Sequence, residues 1–390
     1  MTERLYYRDA MLLAFDAVAV EHVGDAQHVV LDRTAFYPTS GGQPHDVGHL
    51  GAAHVVDVID GVDRIVHVLD APLMLGPIRG EIDAERRRDH MQQHTAQHLL
   101  SALAGDRFDW DTVSVHFGEM HSSIEFAVPE ASGAQVGQLE RWSNDVTGEA
   151  REVSVGFEDA VAAGRTGLRK PSGRTGEIRV ITIADLDRSA CGGTHVSRTS
   201  EIGSILLLGV EKIRGHVRIG FVAGGRVILH ARSNARMLAA VARKMGCAVN
   251  EIETLIPARQ QELKALRDQV AILEQEVAVA RVARLVDATA PGPDGVRRIL
   301  HRPTDASPAV LRSMAQAINS QGRVVFAAIA MSPPTIYFAT SADSGVNAGA
   351  VLKQALAAVG GRGGGSARMA QGTAATIAAA EAVAIAVVQP

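Results

Sequence analysis

Two short stretches carry residue types suited to metal chemistry. They are Cys191-Gly192-Gly193-Thr194-His195 and, about a hundred residues earlier, His94-Thr95-Ala96-Gln97-His98. Each places two metal-capable side chains four positions apart. On a helix, an i, i+4 pair projects from one face, so His94 and His98 can address a common ion. Gly192 and Gly193 remove side chains between Cys191 and His195, which lets that backbone fold tightly and bring the thiol and the imidazole together. One thiolate and three imidazoles form a donor set that Zn2+ accepts well. Either half alone suits ordinary packed histidines equally; the two halves in one chain, one on a helix and one in a glycine loop after a strand, point to a shared site.

Other segments offer polar chemistry with plainer alternatives beside it. Phe36-Tyr37-Pro38-Thr39-Ser40-Gly41-Gly42-Gln43-Pro44 contains a glycine pair that allows close backbone approach, and Gln43 supplies both a donor and an acceptor. The same letters also spell a simple tight turn. The basic stretch 165–174, with Arg169, Lys170 and Arg174, is a candidate phosphate-contacting loop or a solvated one. Residues 360–372, rich in glycine and carrying Arg362 and Arg368, read as a loop with exposed amides that could cradle a phosphate or RNA backbone, or as a flexible surface loop. Arg86, Arg87 and Arg88 read as a solvated face. His90 extends the face of His94 but belongs to no second motif.

The elements that must position these residues follow from periodicity. Residues 1–85 show strand alternation, as in Val55-Val56-Asp57-Val58-Ile59, with Gly, Asp and Pro turns between, which predicts a small β-barrel or sandwich holding the glycine-glutamine loop. A helix is predicted from about residue 86 to Ala104, with Leu99, Leu100 and Leu103 as its apolar stripe and Gly105 as its stop. Residues 86–225 alternate strands with helical stretches and read as an α+β domain, in which the strand 177–183 runs toward Cys191. Residues 226–290 read as a helical arm, a hairpin or short coiled coil, because Leu263, Leu266, Val270, Leu273, Val277 and Ala280 recur at steps of three and four. After a Pro/Gly linker, residues 291–390 read as a small α/β domain. The expected class is therefore multi-domain α+β.

Composition narrows the setting. At 390 residues the chain exceeds what one hydrophobic core usually serves, and a net charge of −4 argues against a global polycation for nucleic acid while leaving room for a local patch. Two cysteines argue against a disulfide framework and fit a reducing cytoplasm. The first residues lack the apolar run of a signal peptide, and the Ala/Val-rich C-terminus is too short to span a bilayer, so no membrane association is expected.

HTAQH at 94–98, CGGTH at 191–195 and FYPTSGGQP resemble the editing module of alanyl-tRNA synthetases and the free-standing alanyl-tRNA editing proteins of AlaX type. VNAGAVLK at 346–353 and the glycine-rich stretch ending in ARMAQG resemble the DHHA1 module that follows editing in those synthetases. The resemblance covers most of the chain, in the family's order. It implies a zinc site at His94, His98, Cys191 and His195. It also implies hydrolysis of the ester joining a wrong amino acid, serine with glycine as a second candidate, to alanine tRNA.

Because the sequence opens at the segment resembling the barrel before the editing module, the resemblance implies a long-form editor acting in trans and not a ligase. Asp89-His90 does not supply the phosphoesterase core that sometimes accompanies DHHA1. Gly41, Gly42 and Gln43 are expected in the substrate pocket with Thr112 and Ser114. Arg169, Lys170, Arg174, Arg362 and Arg368 are the expected tRNA contacts, and self-association is expected through the helical arm or the C-terminal domain. Water activated at the zinc site is the expected nucleophile, with no catalytic side chain assigned. Four protein ligands would close a tetrahedral site where a catalytic ion usually keeps a position open, so the ion either exchanges a ligand or mainly organises the pocket. Two alternatives stay open: a zinc-stabilised tRNA-binding or assembly protein without hydrolysis, and threonyl-type editing.

Overall fold

The computed structural model describes residues 1–390 except Val62, Pro171, Ser172, Arg174, Thr304, Asp305 and Pro390. The chain divides into two compact units, Met1–Val241 and Ala242–Pro390.

In the first unit, six strands close into a barrel: Ala14–Val23, Asp25–Leu31, Ile65–Leu69, Ala53–Asp60, Gly48–Leu50 and Gly76–Ile82, in that order around it. The alternation read in the sequence is what turns Val55, Val58, Ile65 and Leu69 inward to meet Phe15, Leu31 and Phe36. His67 also points inward, where its ring bonds Thr34 Oγ1 at 2.8 Å and the Val29 carbonyl at 3.2 Å.

The helix Ala84–Phe108 follows. Asp83 caps it by accepting from the Arg86 amide at 2.9 Å. It runs past the expected stop at Gly105 and ends when Asp109 adopts a left-handed φ of 57°, a conformation that a short polar side chain tolerates. Gly105 instead leaves room beside Arg169, whose Nη1 would stand 3.3 Å from a Cβ placed there.

Arg87 corrects the reading of 86–88 as a solvated face. Its guanidinium is fully buried, bonded to Asp46 at 2.5 Å and to the carbonyls of Ala10 and Ala35 at 2.6 Å each, so it roots the helix in the barrel. A contiguous basic run hides this because a barrel residue 41 positions away supplies the counter-charge.

The helix packs its leucines against two antiparallel sheets. One is ordered Ile205–Ile213, His216–Ala223, Ser122–Phe126, Thr112–Phe117; the other is Val153–Asp159, Glu177–Ile183, Asp187–Ala190. Leu99, Leu100 and Leu103 share one core with Ile124, Phe126, Ile181, Ile183 and Phe221. A short helix, Ala160–Arg165, capped by Asp159, precedes the basic stretch.

The helix Gly225–Met245 ends at Gly246, which takes a positive φ of 67°. The second unit carries the helix Ile252–Ala288, 37 residues long, and a five-stranded sheet ordered Arg297–His301, Val324–Met331, Pro334–Thr340, Met369–Thr373, Arg362–Gly365. Val325, Ala327 and Ile329 face helices Ala348–Ala357 and Ile377–Val388. Val324, Phe326 and Ala328 face helix Pro308–Ala317 and the end of the long helix at Ala278 and Val282. That two-sided burial explains the uninterrupted apolar run 324–330.

The glycine-rich stretch 360–372 is a β-hairpin rather than a loop. Gly363 and Gly372 pair across it, and a Cβ at either would strike Leu356 of the helix above. The glycines are there for close helix-on-strand approach, and several of the amides expected to cradle a phosphate are engaged in strand pairing.

No helix among the described residues is long and apolar enough to cross a membrane.

Candidate metal centre

The helix face and the glycine loop do meet. One donor atom from each of His94, His98, Cys191 and His195 lies within 4.8 Å of the others, the histidines buried and the cysteine half-buried. The Nε2 atoms of His94 and His195 each stand 3.4 Å from Cys191 Sγ.

What turns those nitrogens inward is the engagement of every opposite ring nitrogen. His94 Nδ1 donates to Gln43 Oε1 at 2.8 Å, an oxygen that also accepts from the Thr194 amide at 3.1 Å. His98 Nδ1 donates to Asp187 Oδ2 at 3.1 Å. His195 Nδ1 lies 3.2 Å from Thr95 Oγ1, whose proton goes to the Met91 carbonyl at 2.8 Å. An acceptor at each Nδ1 fixes the proton there and leaves the Nε2 lone pairs converging.

Gly193 is the glycine this geometry requires: a Cβ would overlap the His94 ring and come to 3.0 Å from Gln43 Oε1. Gly192 is less constrained, with the Tyr7 hydroxyl at 3.6 Å and its ring at 3.8 Å from a Cβ placed there. Arg179 holds the loop from behind, its Nη1 donating to the carbonyls of Cys191 and Gly193 at 2.8 Å each.

The electrostatics favour a cation among the four. Burial alone would push the Cys191 thiol up, but the His94 and His195 imidazoles hold it well below the usual thiol range. Burial, then repulsion from His94, drops His195 to about 3. Burial opposes charge on His98 too, yet the Asp187 carboxylate and the Cys191 sulfur raise it to about 10. Two anionic groups around buried imidazoles draw a positive charge, and a soft divalent ion competes with the proton for that place. The residues therefore fit a bound metal ion. His90, the neighbour on the same helix face, stays outside the cluster; burial lowers it to about 4, and among the described residues its Nδ1 has no partner.

The cluster opens onto a cleft of about 1300 Å³, lined by His94, His98 and Cys191 but not by His195. The other sequence-predicted residues fall variously around it. Gly41 and Gly42 form the two positive-φ positions (58° and 84°) of a tight turn in which Ser40 and Gln43 pair. Gly41 lines the cleft, whereas Gln43 is 1% exposed, its amide nitrogen donating to Thr194 Oγ1 at 2.8 Å. It thus reaches the site from behind His94.

Thr112 and Ser114 line the cleft wall. Thr112 Oγ1 shares Ser101 Oγ with Gln97 Nε2, at 2.9 Å each. Gln97 and Ser101, one helical turn apart on the cleft side, were visible only as i, i+4 polar residues beside the histidines. Asp187 and Thr95 gave no sequence signal.

Arg169 is engaged inside the protein, with Nε 2.6 Å from Asp187 Oδ1 and Nη1 2.9 Å from Asp106. Lys170 donates to the Thr112 carbonyl. Arg174 lies outside the described residues. Arg362 and Arg368 are exposed on the hairpin of the second unit.

Residues 178–219, which include Cys191 and His195, match the family described as "Threonyl and Alanyl tRNA synthetase second additional domain", and residues 278–388 match the DHHA1 domain. The alanyl-tRNA editing protein Aarsd1 of Mus musculus is 31% identical over 304 residues, covering 77% of this chain and 73% of that protein. Its Bos taurus counterpart is 32% identical over 256 residues, covering 64% of this chain and 58% of that protein. The alanine–tRNA ligase of Methanoregula boonei is 30% identical over 397 residues, covering 95% of this chain and 41% of that protein. The chain thus spans less than two thirds of the bovine and Methanoregula relatives. With the sulfur-bearing half of the cluster inside the first matched segment, and a DHHA1 match after it, the chain belongs to the alanyl-tRNA editing protein family.

Proposed function

We propose that the protein is a hydrolase that removes serine from mischarged alanine tRNA, with glycine as a second candidate that the same assay tests, and with Zn2+ held by His94, His98, Cys191 and His195. The observation that carries this reading is the orientation of the cluster. Three of its four donors face a cleft large enough for an aminoacylated nucleotide, and a purely structural knuckle has no use for such an opening. The family membership agrees with it, since relatives are named for alanyl-tRNA editing.

Zinc bound there would supply Lewis-acid polarisation at an ester carbonyl or a water. The chain's own residues do the remainder. Gln43, Asp187 and Thr95 keep the three imidazoles in the ligating tautomer, and Arg179 keeps the cysteine loop seated. Ser101, Thr112, Ser114 and Gln97 present hydroxyl and amide groups along the wall, where a seryl hydroxyl would find partners that an alanyl methyl leaves unpaired. No side chain is assigned as general base.

For tRNA contacts we retain Lys170, Arg362 and Arg368, with Arg174 carried over from its place in the basic stretch, and assign Arg169 to holding Asp187. The exposed stripe Leu263, Leu266, Val270 and Leu273 on the long helix is our candidate for self-association as a short coiled coil. A reducing cytoplasm suits both free cysteines.

The test mixes purified protein with serylated, glycylated and alanylated alanine tRNA and follows ester loss. Serine released no faster than without protein defeats the hydrolase reading, in favour of a zinc-stabilised binding protein. Seryl-threonine-tRNA cleaved in preference to seryl-alanine-tRNA would favour threonyl-type editing. His98→Ala and Cys191→Ala lower zinc content and deacylation together, and full activity without metal would sink the zinc assignment.

A further inference from the structure

We propose that Phe157 is a stacking platform for an unpaired nucleobase at the acylated end of the substrate, an inference that rests on the reading of that substrate as aminoacylated tRNA. Phe157 is 43% exposed, and among the described residues no other phenylalanine, tryptophan or tyrosine falls in the exposed class. The other aromatic rings are buried or half-buried, Tyr7 on the same cleft among them, and Phe157 is the barest of them on the wall of the cleft that holds the metal cluster. A ring left 43% exposed forgoes only part of the about 1.5–3 kcal/mol that full burial supplies, and its place in a binding cleft suits a flat apolar ligand face.

The sheet register ties the ring to the reacting centre. Phe157 on strand Val153–Asp159 pairs directly with Arg179 on strand Glu177–Ile183, so both side chains stand on one face of the sheet. Across the next strand boundary the Cys191 amide donates to the Arg179 carbonyl at 3.1 Å, and Arg179 Nη1 grips the Cys191 and Gly193 carbonyls. Phe157, Arg179 and Cys191 therefore form one row across the sheet. Its two strand spacings set the aromatic residue about 10 Å from the metal loop along the cleft wall.

That separation suits a base belonging to the esterified nucleotide or to the one before it, with the ester at the metal loop. Stacking needs only the π-face that every base offers and excludes water from the cleft without reading sequence. The charged environment agrees: among the described residues Arg179 Nη2 has no hydrogen-bond partner, and Lys170 lies on the same cleft.

The test compares Phe157→Ala, Phe157→Leu and Phe157→Trp with the unaltered protein. One stacked base corresponds to roughly a 5- to 150-fold change in binding. Phe157→Ala and Phe157→Leu are expected to raise KM for seryl-alanine-tRNA within that range, leaving kcat at saturation and metal content unchanged. Phe157→Trp is expected to keep KM, and its added indole fluorescence to be quenched by an uncharged RNA hairpin ending in single-stranded CCA. An abasic site at the last or the penultimate nucleotide of that hairpin identifies which base stacks, by abolishing the quench.

A KM for Phe157→Ala equal to that of the unaltered protein overturns the proposal, as does Phe157→Leu restoring the unaltered KM, or a quench insensitive to both abasic sites. Loss of serine release by the unaltered protein would instead remove the hydrolase reading. The quench with uncharged RNA still decides Phe157 in that case.

Discussion

Asp187 Oδ2 accepts from His98 Nδ1 at 3.1 Å while its other oxygen takes the Arg169 guanidinium at 2.6 Å, so a buried carboxylate joins a candidate metal ligand to the basic stretch. Such a partner orients the ring and raises its basicity. Asp187→Asn is expected to weaken metal affinity by about 10- to 100-fold, measured by chelator competition, with the fold retained by circular dichroism. Unchanged affinity would show that His98 needs no anchor.

The two loop glycines separate steric need from loop flexibility. Gly193→Ala drives a methyl into the His94 ring and is expected to lose stoichiometric metal. Gly192→Ala meets only Tyr7, its Oη at 3.6 Å and its ring at 3.8 Å, and is expected to keep it. Metal analysis of the two purified variants decides, and equal losses would argue that backbone freedom, not space, makes the motif.

The barrel carries its own pH sensitivity at His67. Burial lowers this imidazole to about 4, partly offset by its bond to the Val29 carbonyl. The unfolded chain, near 6.5, binds the proton first as pH falls, so stability is full above about pH 6.5 and declines between there and about 4. At pH 5 the loss from this group is about 2 kcal/mol. His67→Gln is expected to flatten the difference between thermal midpoints at pH 7.5 and pH 5; an unchanged slope would place the sensitivity elsewhere, His90 being the next candidate.

Breaking the Arg87–Asp46 pair leaves a charge in a site with no solvent access. Asp46→Asn or Arg87→Met is expected to cost about 3–5 kcal/mol, read by urea denaturation, because one partner stays buried and uncompensated. A cost below about 1 kcal/mol would mean that water enters the joint between barrel and helix.

Leu266→Glu together with Leu273→Glu places charges on the exposed stripe of the long helix. If that stripe joins two copies, light scattering will show the pair converting a dimer to a monomer at unchanged helicity. A monomeric unaltered protein would remove the assignment.

The four donors were legible in the sequence because ligation demands particular atoms at short spacings, His94 with His98 and Cys191 with His195, and neither pair depends on the rest of the chain to be seen. Strand and helix placement near them was legible for the same local reason. Alternation in 55–59 and 65–69 and the apolar run 324–330 follow from which faces a strand buries. What the sequence left undecided depended on partners far away in the chain. Arg87 looked solvated until Asp46 was found against it, and Gln43 looked like a pocket residue until its amide closed on His94 and Thr194. Arg169 looked like an RNA contact until it met Asp187 and Asp106. The glycines of 360–372 looked mobile, since local letters cannot tell a flexible loop from a strand lying tight against Leu356. Only the tertiary structure decided which side of the cluster opens, because that turns on three segments meeting, and on His195 being the donor that their meeting seals away.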